Sequence, residues 1–328
     1  MEEGHVIMII VVHVDDIFAV GQKERCNKFD RDLNKMVPVK ILGELRWYSA
    51  CFYDRDVERG LLKISEQRFA EELAAEYGVE WGQSVPLPVS VKLSDFDVNE
   101  ASADVPFREL VGSLMWLATQ TRPDIADAAR AVARYCPSPK MVHWKAALGI
   151  LGYVRRTSWM GITFEGGVVT GMSMQVFVDA DYASKAADRR SVSGGLVMCV
   201  WGGVTWFSRT QKSVTLSTTE AEYVAIADVL KEVLFLRQVW RFILPDASMP
   251  CIPVFEDNQG AIQNAHNPII NSNLKHIDVM HHFIRELVER KDITITHVPT
   301  QVQHADFLTK ASSKQSFALH RDFMMNLQ

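Results

Sequence analysis

The stretch MQVFVDADY, residues 174–182, decides how this chain is read: a run of alternating apolar residues ends on two carboxylates, Asp179 and Asp181. Alternation with a period of two marks a half-buried strand, so the acids fall at the rim of a sheet, where a side chain can meet a metal or a substrate. Aspartate just past a strand also serves ordinary turn chemistry. What lifts this stretch above that reading is the order of acid-bearing segments that follow: STTEAEY at 217–223, VFEDNQ at 254–259 and QHADFLTK at 303–310.

Working outward, the pattern predicts strands at 174–179, 194–201 and 204–208, with Gly202 and Gly203 as the tight turn between the last two. A long helix is expected over 218–242, with Ser217 or Thr218 as its cap, then a buried strand at 252–256 and helices at 259–265 and 273–290. A strand at 293–298 and a last helix opening at 306–311 complete the set. This succession describes an α/β domain on a five-stranded mixed sheet with flanking helices. In it Asp179 ends the first strand, Glu222 lies in the first turns of the long helix, Asp257 follows the fourth strand and Asp306 opens the last helix.

Upstream, two β-favouring runs at 6–12 and 17–21 flank His13-Val14-Asp15-Asp16 and predict a hairpin with Asp15 and Asp16 at its tip. Close carboxylates repel unless a cation lies between them, so this pair is a candidate metal site beside the plain reading of a solvated turn. Helices are expected at 26–36 and 65–77, the second with Ser65 as N-cap and Gly78 as stop, and a strand at 61–64. Pro86 and Pro88 make 85–93 an extended connector, and 95–104 is a polar loop. Helices follow at 107–118, 123–135 and 141–157, the last carrying Arg155 and Arg156 where they suit the helix dipole. A glycine-rich turn at 166–171 is the candidate boundary before the final domain.

The 328 residues are 48% hydrophobic and 23% charged, an ordinary globular balance with enough apolar mass for two cores. A formal charge of -5 and a pI near 6.1 count mildly against a polyanion partner, although local basic patches can still grip phosphates. The 5 cysteines are scattered, with no paired spacing, which speaks for a reducing compartment and against structural zinc. The apolar run at 6–12 falls short of the ~20 residues that span a bilayer, and no signal peptide is read before it. The expectation is an intracellular chain without a membrane partner.

Six words in order, VDADYA (178–183), RRSVSGG (189–195), LSTTEAEYVA (216–225), EDNQGAI (256–262), LKHIDVMHHFIRE (274–286) and VPTQVQHADFLTK (298–310), resemble the ribonuclease H domain of copia-type LTR-retrotransposon polyproteins. Upstream, VDDIFAVG (14–21), LGEL (42–45) and FRELVGSLMWLATQTRPDIA (107–126) resemble the end of a reverse transcriptase palm, its thumb and the connection leading into ribonuclease H. The resemblance covers nearly the whole chain. It implies a truncated palm and thumb over 1–94, a helical connection over 95–170 and a ribonuclease H-like domain over 171–328.

By that resemblance Asp179, Glu222, Asp257 and Asp306 match an acidic quartet that holds two Mg²⁺ ions, for which Mn²⁺ can substitute, and that cuts the RNA strand of RNA–DNA hybrids. Hard oxygen ligands suit Mg²⁺, and two ions about 3.5–4 Å apart can clamp an attacking water and a leaving oxygen. Asp181, Glu220 and Glu256 neighbour quartet members and are second choices. Asn258, Gln259, Ser217 and Thr218 are the polar groups nearest the expected metals and candidates to feel the RNA 2′-hydroxyl. Lys275 and Lys310, with Arg189 and Arg190, are candidates for phosphate.

Asp15 and Asp16 match the paired aspartates of the palm, but a polymerase site needs a further aspartate and fingers that this chain is not expected to supply. The polymerase half is therefore expected to be inactive alone, with an upstream portion of the polyprotein as a possible partner. Neither His297 nor His304 fits the mobile histidine of some ribonucleases H, Met280 stands where relatives commonly carry Arg, and the segment at 271–273 is less basic than usual. These departures keep a second reading open, an inert retroelement remnant that at most binds nucleic acid. The resemblance places an intact element's product in cytoplasmic virus-like particles or the nucleus.

Overall fold

The continuous β-favouring runs near the N-terminus pair as a hairpin of β1 (Met8–His13) and β2 (Asp16–Gly21), with His13 opposite Asp16. The turn takes its left-handed backbone at Val14, φ 51°, and Asp16 already belongs to the second strand. The computed structural model describes residues 6–97, 99–166, 173–183, 189–245, 249–266 and 275–327, without the side chains of 275–279 and 281. Helix α1 (Lys23–Met36) follows the hairpin.

A four-stranded sheet comes next, built from β3 (Trp47–Tyr48), β4 (Cys51–Asp56) and β5 (Leu61–Ser65), and closed by a strand from 97 residues further on. Ser65 is therefore not a helix cap. It is the buried last residue of β5, paired with Phe52, and α2 (Gln67–Glu76) starts two residues later. Gly78 does end that helix, in the left-handed conformation at φ 62°.

The helices α3 (Phe107–Gln120), α4 (Ala126–Ala133) and α5 (Met141–Arg156) pack around Leu110, Leu114, Leu117, Ile125 and Ile150, all without exposed surface. Pro123 opens a single 3₁₀ turn before α4. Strand β6 (Ile162–Glu165) then returns to β5, Ile162 facing Ile64, and so joins the segment 95–170 to the segment 1–94 by a ladder.

The five-stranded mixed sheet is formed by β7 (Met174–Asp181), β8 (Val192–Cys199) and β9 (Gly202–Thr210), then, after helix α6 (Thr218–Ile243), by β10 (Ile252–Glu256) and, after α7 (Gln259–His266) and α8 (Lys275–Glu289), by β11 (Ile293–His297). Its order is β11-β10-β7-β8-β9, antiparallel within β7-β8-β9 and parallel across β7-β10-β11, which is the ribonuclease H-like arrangement that the resemblance implies. The tight turn between β8 and β9 is Val200-Trp201, both at positive φ, and not Gly202-Gly203. Glycine is needed at 202 for another reason: a Cβ there would stand 2.7 Å from the ring of Phe164 on β6. The segment expected as the last helix is a 3₁₀ turn at Asp306–Leu308, and α9 (Lys314–Met325) begins later, capped by Ser313.

The period of two along β7 sorts its residues between two cores. Val176 and Val178 pack with Ile226, Val229 and Val233 of α6, while Phe177 faces α9 and the core of α3, α4 and α5. Leu196, Met198, Phe307, Phe317 and Met324 join that second core, so the helices of 107–156 cover the sheet face that α6 leaves open. Among the described residues no helix is long and apolar enough to cross a membrane.

Candidate active site

The parallel strands β7 and β10 run side by side, Phe177 beside Phe255, and two residues further on they bring Asp179 and Asp257 to the same edge of the sheet. Glu222 arrives from the second turn of α6. The start of that helix is fixed by a reciprocal cap: Ser217 Oγ accepts from the Glu220 amide at 3.1 Å, and Glu220 Oε2 accepts from the Leu216 amide at 2.7 Å. One carboxylate oxygen from each of Asp179, Glu222 and Asp257 lies within 4.8 Å of the others.

Asp306 comes near Asp179 from the 3₁₀ turn at Asp306–Leu308. A Cβ at Gly194, opposite Asp179 on β8, would stand 2.7 Å from Thr309 and 3.0 Å from the Ala305 carbonyl, so glycine here lets the 3₁₀ turn settle against the sheet. Thr309 donates its hydroxyl to Asp179 Oδ2. Lys310 sets its ammonium 2.6 Å from Asp306 Oδ1. Asp306 is close enough to act on the Asp179 charge, yet it is outside the group of three that converge within 4.8 Å.

Taking this many carboxylates out of water is costly, and their proton affinities record it. Burial, helped by Asp306 and Asp257, pushes Asp179 up to about 7 against the donation from Thr309 and the charge of Lys310. Glu222 is raised well above the ordinary range by burial first and by Glu256 next. Glu256, without exposed surface, is raised likewise by burial and by Asp179 and Asp257, while the Asn258 amide donates to its Oε1 at 2.9 Å. Glu222 Oε2 and Glu256 Oε2 are buried without a hydrogen-bond partner. A set of oxygen donors with unspent lone pairs and a surplus of negative charge fits a hard divalent cation.

Glu256 is thus a member of the acidic cluster that residue order ranks behind its neighbour. The period of two along β10 points it, with Val254, into the core under α6, where Glu222 lies. Asp181 also stays near the site, on the same side of β7 as Asp179 and within electrostatic reach of Lys310. Thr300, which residue order did not single out, donates to Asp257 Oδ2 at 2.6 Å.

The polar candidates divide. Ser217 is spent as the cap of α6. Asn258 Oδ1 accepts from the Ala261 amide at 3.0 Å and caps α7, whereas Thr218 and Gln259, each the first residue of its helix, are exposed. Lys310 is at the cluster and half exposed. The side chain of Lys275 and the segment 271–273 lie outside the described residues. Asp15 and Asp16 sit on the exposed hairpin tip, away from any group of three potential ligands among the described residues. His304 is half-buried, stacked 3.6 Å from the Phe323 ring and pushed down to about 4 by burial and by His320.

No family model matches the chain. It is 31% identical over 326 residues, 97% of its length, to the retrovirus-related Pol polyprotein from transposon TNT 1-94 of Nicotiana tabacum, and covers 24% of that relative. It is 32% identical over 321 residues to the Pol polyprotein from transposon RE1 of Arabidopsis thaliana, covering 97% of itself and 21% of the relative. Among solved structures, a ribonuclease H1 from Halobacterium salinarum is 18% identical with a TM-score of 0.32, over 42% of this chain and 94% of that one. The chain spans less than a quarter of the length of these two Pol polyproteins. With that identity held over nearly all its length, the chain is a homologue of the retrovirus-related Pol polyproteins of copia-type transposons and belongs with them.

Proposed function

We propose that this chain is a ribonuclease H-type endonuclease that hydrolyses the RNA strand of RNA–DNA hybrids with two Mg²⁺ ions, for which Mn²⁺ can substitute. The observation that carries this reading is the meeting of Asp179, Glu222 and Asp257, from two strand ends and a helix, within 4.8 Å, with one Glu222 oxygen left unpartnered. Asp306, one turn from Thr309, supplies the fourth carboxylate. In the reaction a water oxygen bonds to phosphorus and the bond to the 3′ oxygen breaks, leaving a 5′-phosphate and a 3′-hydroxyl. Bound cations would lower the pKa of that water and neutralise charge on the leaving oxygen.

The chain's own part is to hold the carboxylates still. Thr309 fixes Asp179 and Thr300 fixes Asp257, each by one oxygen, which leaves the other free for the site. Thr218 and Gln259, exposed at the first turns of α6 and α7, would be the groups that feel the RNA 2′-hydroxyl. Lys310 is the nearby cation for a backbone phosphate.

The test is Mg²⁺- or Mn²⁺-dependent cleavage of an end-labelled hybrid, lost in Asp179→Asn and in Asp257→Asn. Salt-sensitive binding of the hybrid without cleavage at saturating metal would leave the inert remnant as the reading. The same chain, alone, is proposed not to extend a primer, because Asp15 and Asp16 have no third carboxylate beside them among the described residues. Template-dependent incorporation of dNTPs by the purified chain would overturn that.

A further inference from the structure

The 3₁₀ turn that carries Asp306 is pinned on both sides. Phe307 and Leu308 are buried in the core shared with α9, Gly194 admits the backbone against β8, and the Thr309 hydroxyl is spent on Asp179. The backbone of 306–309 therefore has little room to shift. Lys310 is different. Its amide closes the turn onto the Asp306 carbonyl at 3.3 Å, but its side chain is 45% exposed, on a flexible four-carbon stem.

The ammonium at the end of that stem is 2.6 Å from Asp306 Oδ1, whose side chain is only 9% exposed. The charged and titratable groups around it are Asp306, Asp179 and Asp181 on one side and His320 of α9 on the other. Lys310 thus stands as a cation at the mouth of the acidic cluster. Asp306 has a second oxygen, but an ammonium on one oxygen and a divalent ion on the other would stand only a few Å apart, and like charges that close in a partly buried site repel strongly. While Lys310 holds Asp306, the cluster offers a cation three convergent carboxylates and withholds the fourth.

Resting on the metal-nuclease reading above, we propose that Lys310 is a positioning residue that keeps Asp306 out of the metal cluster until a nucleic-acid phosphate draws its ammonium away. A hybrid backbone is the matching lure: it presents phosphate oxygens to a half-exposed ammonium with three donors. The exchange needs rotation of two side chains, Lys310 away and Asp306 inward, and no loop motion, since the backbone of the turn is fixed. Its consequence is that the chain takes one divalent cation readily and a second only when the hybrid is bound, so water is not activated on an empty site.

The experiment counts Mn²⁺ on the full chain by electron paramagnetic resonance and calorimetry, without nucleic acid and with a hybrid whose RNA strand carries uncleavable 2′-fluoro sugars. The unmodified chain is expected to bind one tight Mn²⁺ alone and two with the hybrid. Lys310→Gln, at a half-exposed position, should bind two without the hybrid, the second at least tenfold tighter than in the unmodified chain. Lys310→Arg, which keeps the cation, should behave as the unmodified chain does.

If Lys310→Gln still binds a single ion and loses only hybrid affinity, Lys310 is a phosphate contact and nothing more, and the proposal is overturned. If Lys310→Arg behaves like Lys310→Gln, charge is not what restrains Asp306, and the proposal also falls. If neither the unmodified chain nor Lys310→Gln binds any Mn²⁺, the metal-nuclease reading itself fails, a result distinct from both of the others.

Discussion

Thr309 donates its hydroxyl to the Asp179 carboxylate from 130 residues away, a bond that ties the 3₁₀ turn of Asp306 to the edge of the central sheet. A hydrogen bond to a buried charged group contributes about 1.5–3 kcal/mol. Thr309→Val is therefore expected to weaken Mg²⁺ binding by about 10- to 100-fold, because Asp179 loses the donor that favours its charged form. Thr309→Ser should restore binding. Calorimetric titration of the three proteins checks this, and equal affinities would show that the hydroxyl does not support the site.

Proton linkage gives a second expectation, with a sign that runs against the usual carboxylate. Asp179 takes up its proton near 7 in the folded chain, against an ordinary 3.8, chiefly because it is buried. Between those values the folded chain binds more protons than the unfolded one, so stability falls as pH rises from about 4 to about 7, and the full penalty stands above 7. Glu222 and Glu256 are shifted the same way. Melting temperature in a chelator should decline across this window, less steeply in Asp179→Asn. Mg²⁺ should raise it at pH 8 far more than at pH 5. A chelated profile that is identical in Asp179→Asn would contradict the assignment.

A third prediction concerns the turn before α4. Arg122, 2% exposed, grips Asp124 through bonds of 2.9 and 2.8 Å, and reaches the carbonyl and hydroxyl of Thr157 at 3.1 and 2.6 Å. Tyr153 adds its hydroxyl to Asp124 at 2.6 Å. Removing one partner of such a pair strands a buried charge, so Arg122→Ala should cost about 3–5 kcal/mol in denaturant unfolding. Tyr153→Phe, which removes one donor, should cost less. A loss under 1 kcal/mol in Arg122→Ala would mean that water replaces the guanidinium.

A fragment containing only 171–328 is expected to be unstable and sticky. Phe177, Leu196, Met198 and Phe317 lie in one cluster with Leu110, Leu114 and Ile150, and Trp206 donates to the Ala118 carbonyl at 2.7 Å. Cutting near 171 exposes that face, so the fragment should bind a hydrophobic dye and aggregate, while the whole chain should do so far less. A monomeric 171–328 fragment with a cooperative melt would refute this.

Much of the architecture was legible locally. Period-two runs and helical periodicity mark β7, α6, β10 and β11 within one or two residues, because burying one face of an element writes its period into the chain. Turn chemistry was the weakest guide. Ser65, Gly202 and Gly203 carry turn or cap signals, but a ladder claims the serine and the close approach of Phe164 claims Gly202. The strand at Ile162–Glu165 is too short for a pattern to show, and its partner lies 97 residues earlier.

By itself, the order of residues determined which carboxylates stand at element ends: Asp179 and Asp257 near strand ends, Glu222 in the second turn of a helix. Only the tertiary structure decided which of them meet, how Glu256 is drawn into the cluster from the core side of β10, and that Lys310 rather than a fourth converging ligand faces Asp306. The reason is physical. A period reports the face on which a side chain lies, a property of neighbours in sequence, whereas a proton affinity or an ion site depends on distances of a few Å between segments that are strangers along the chain.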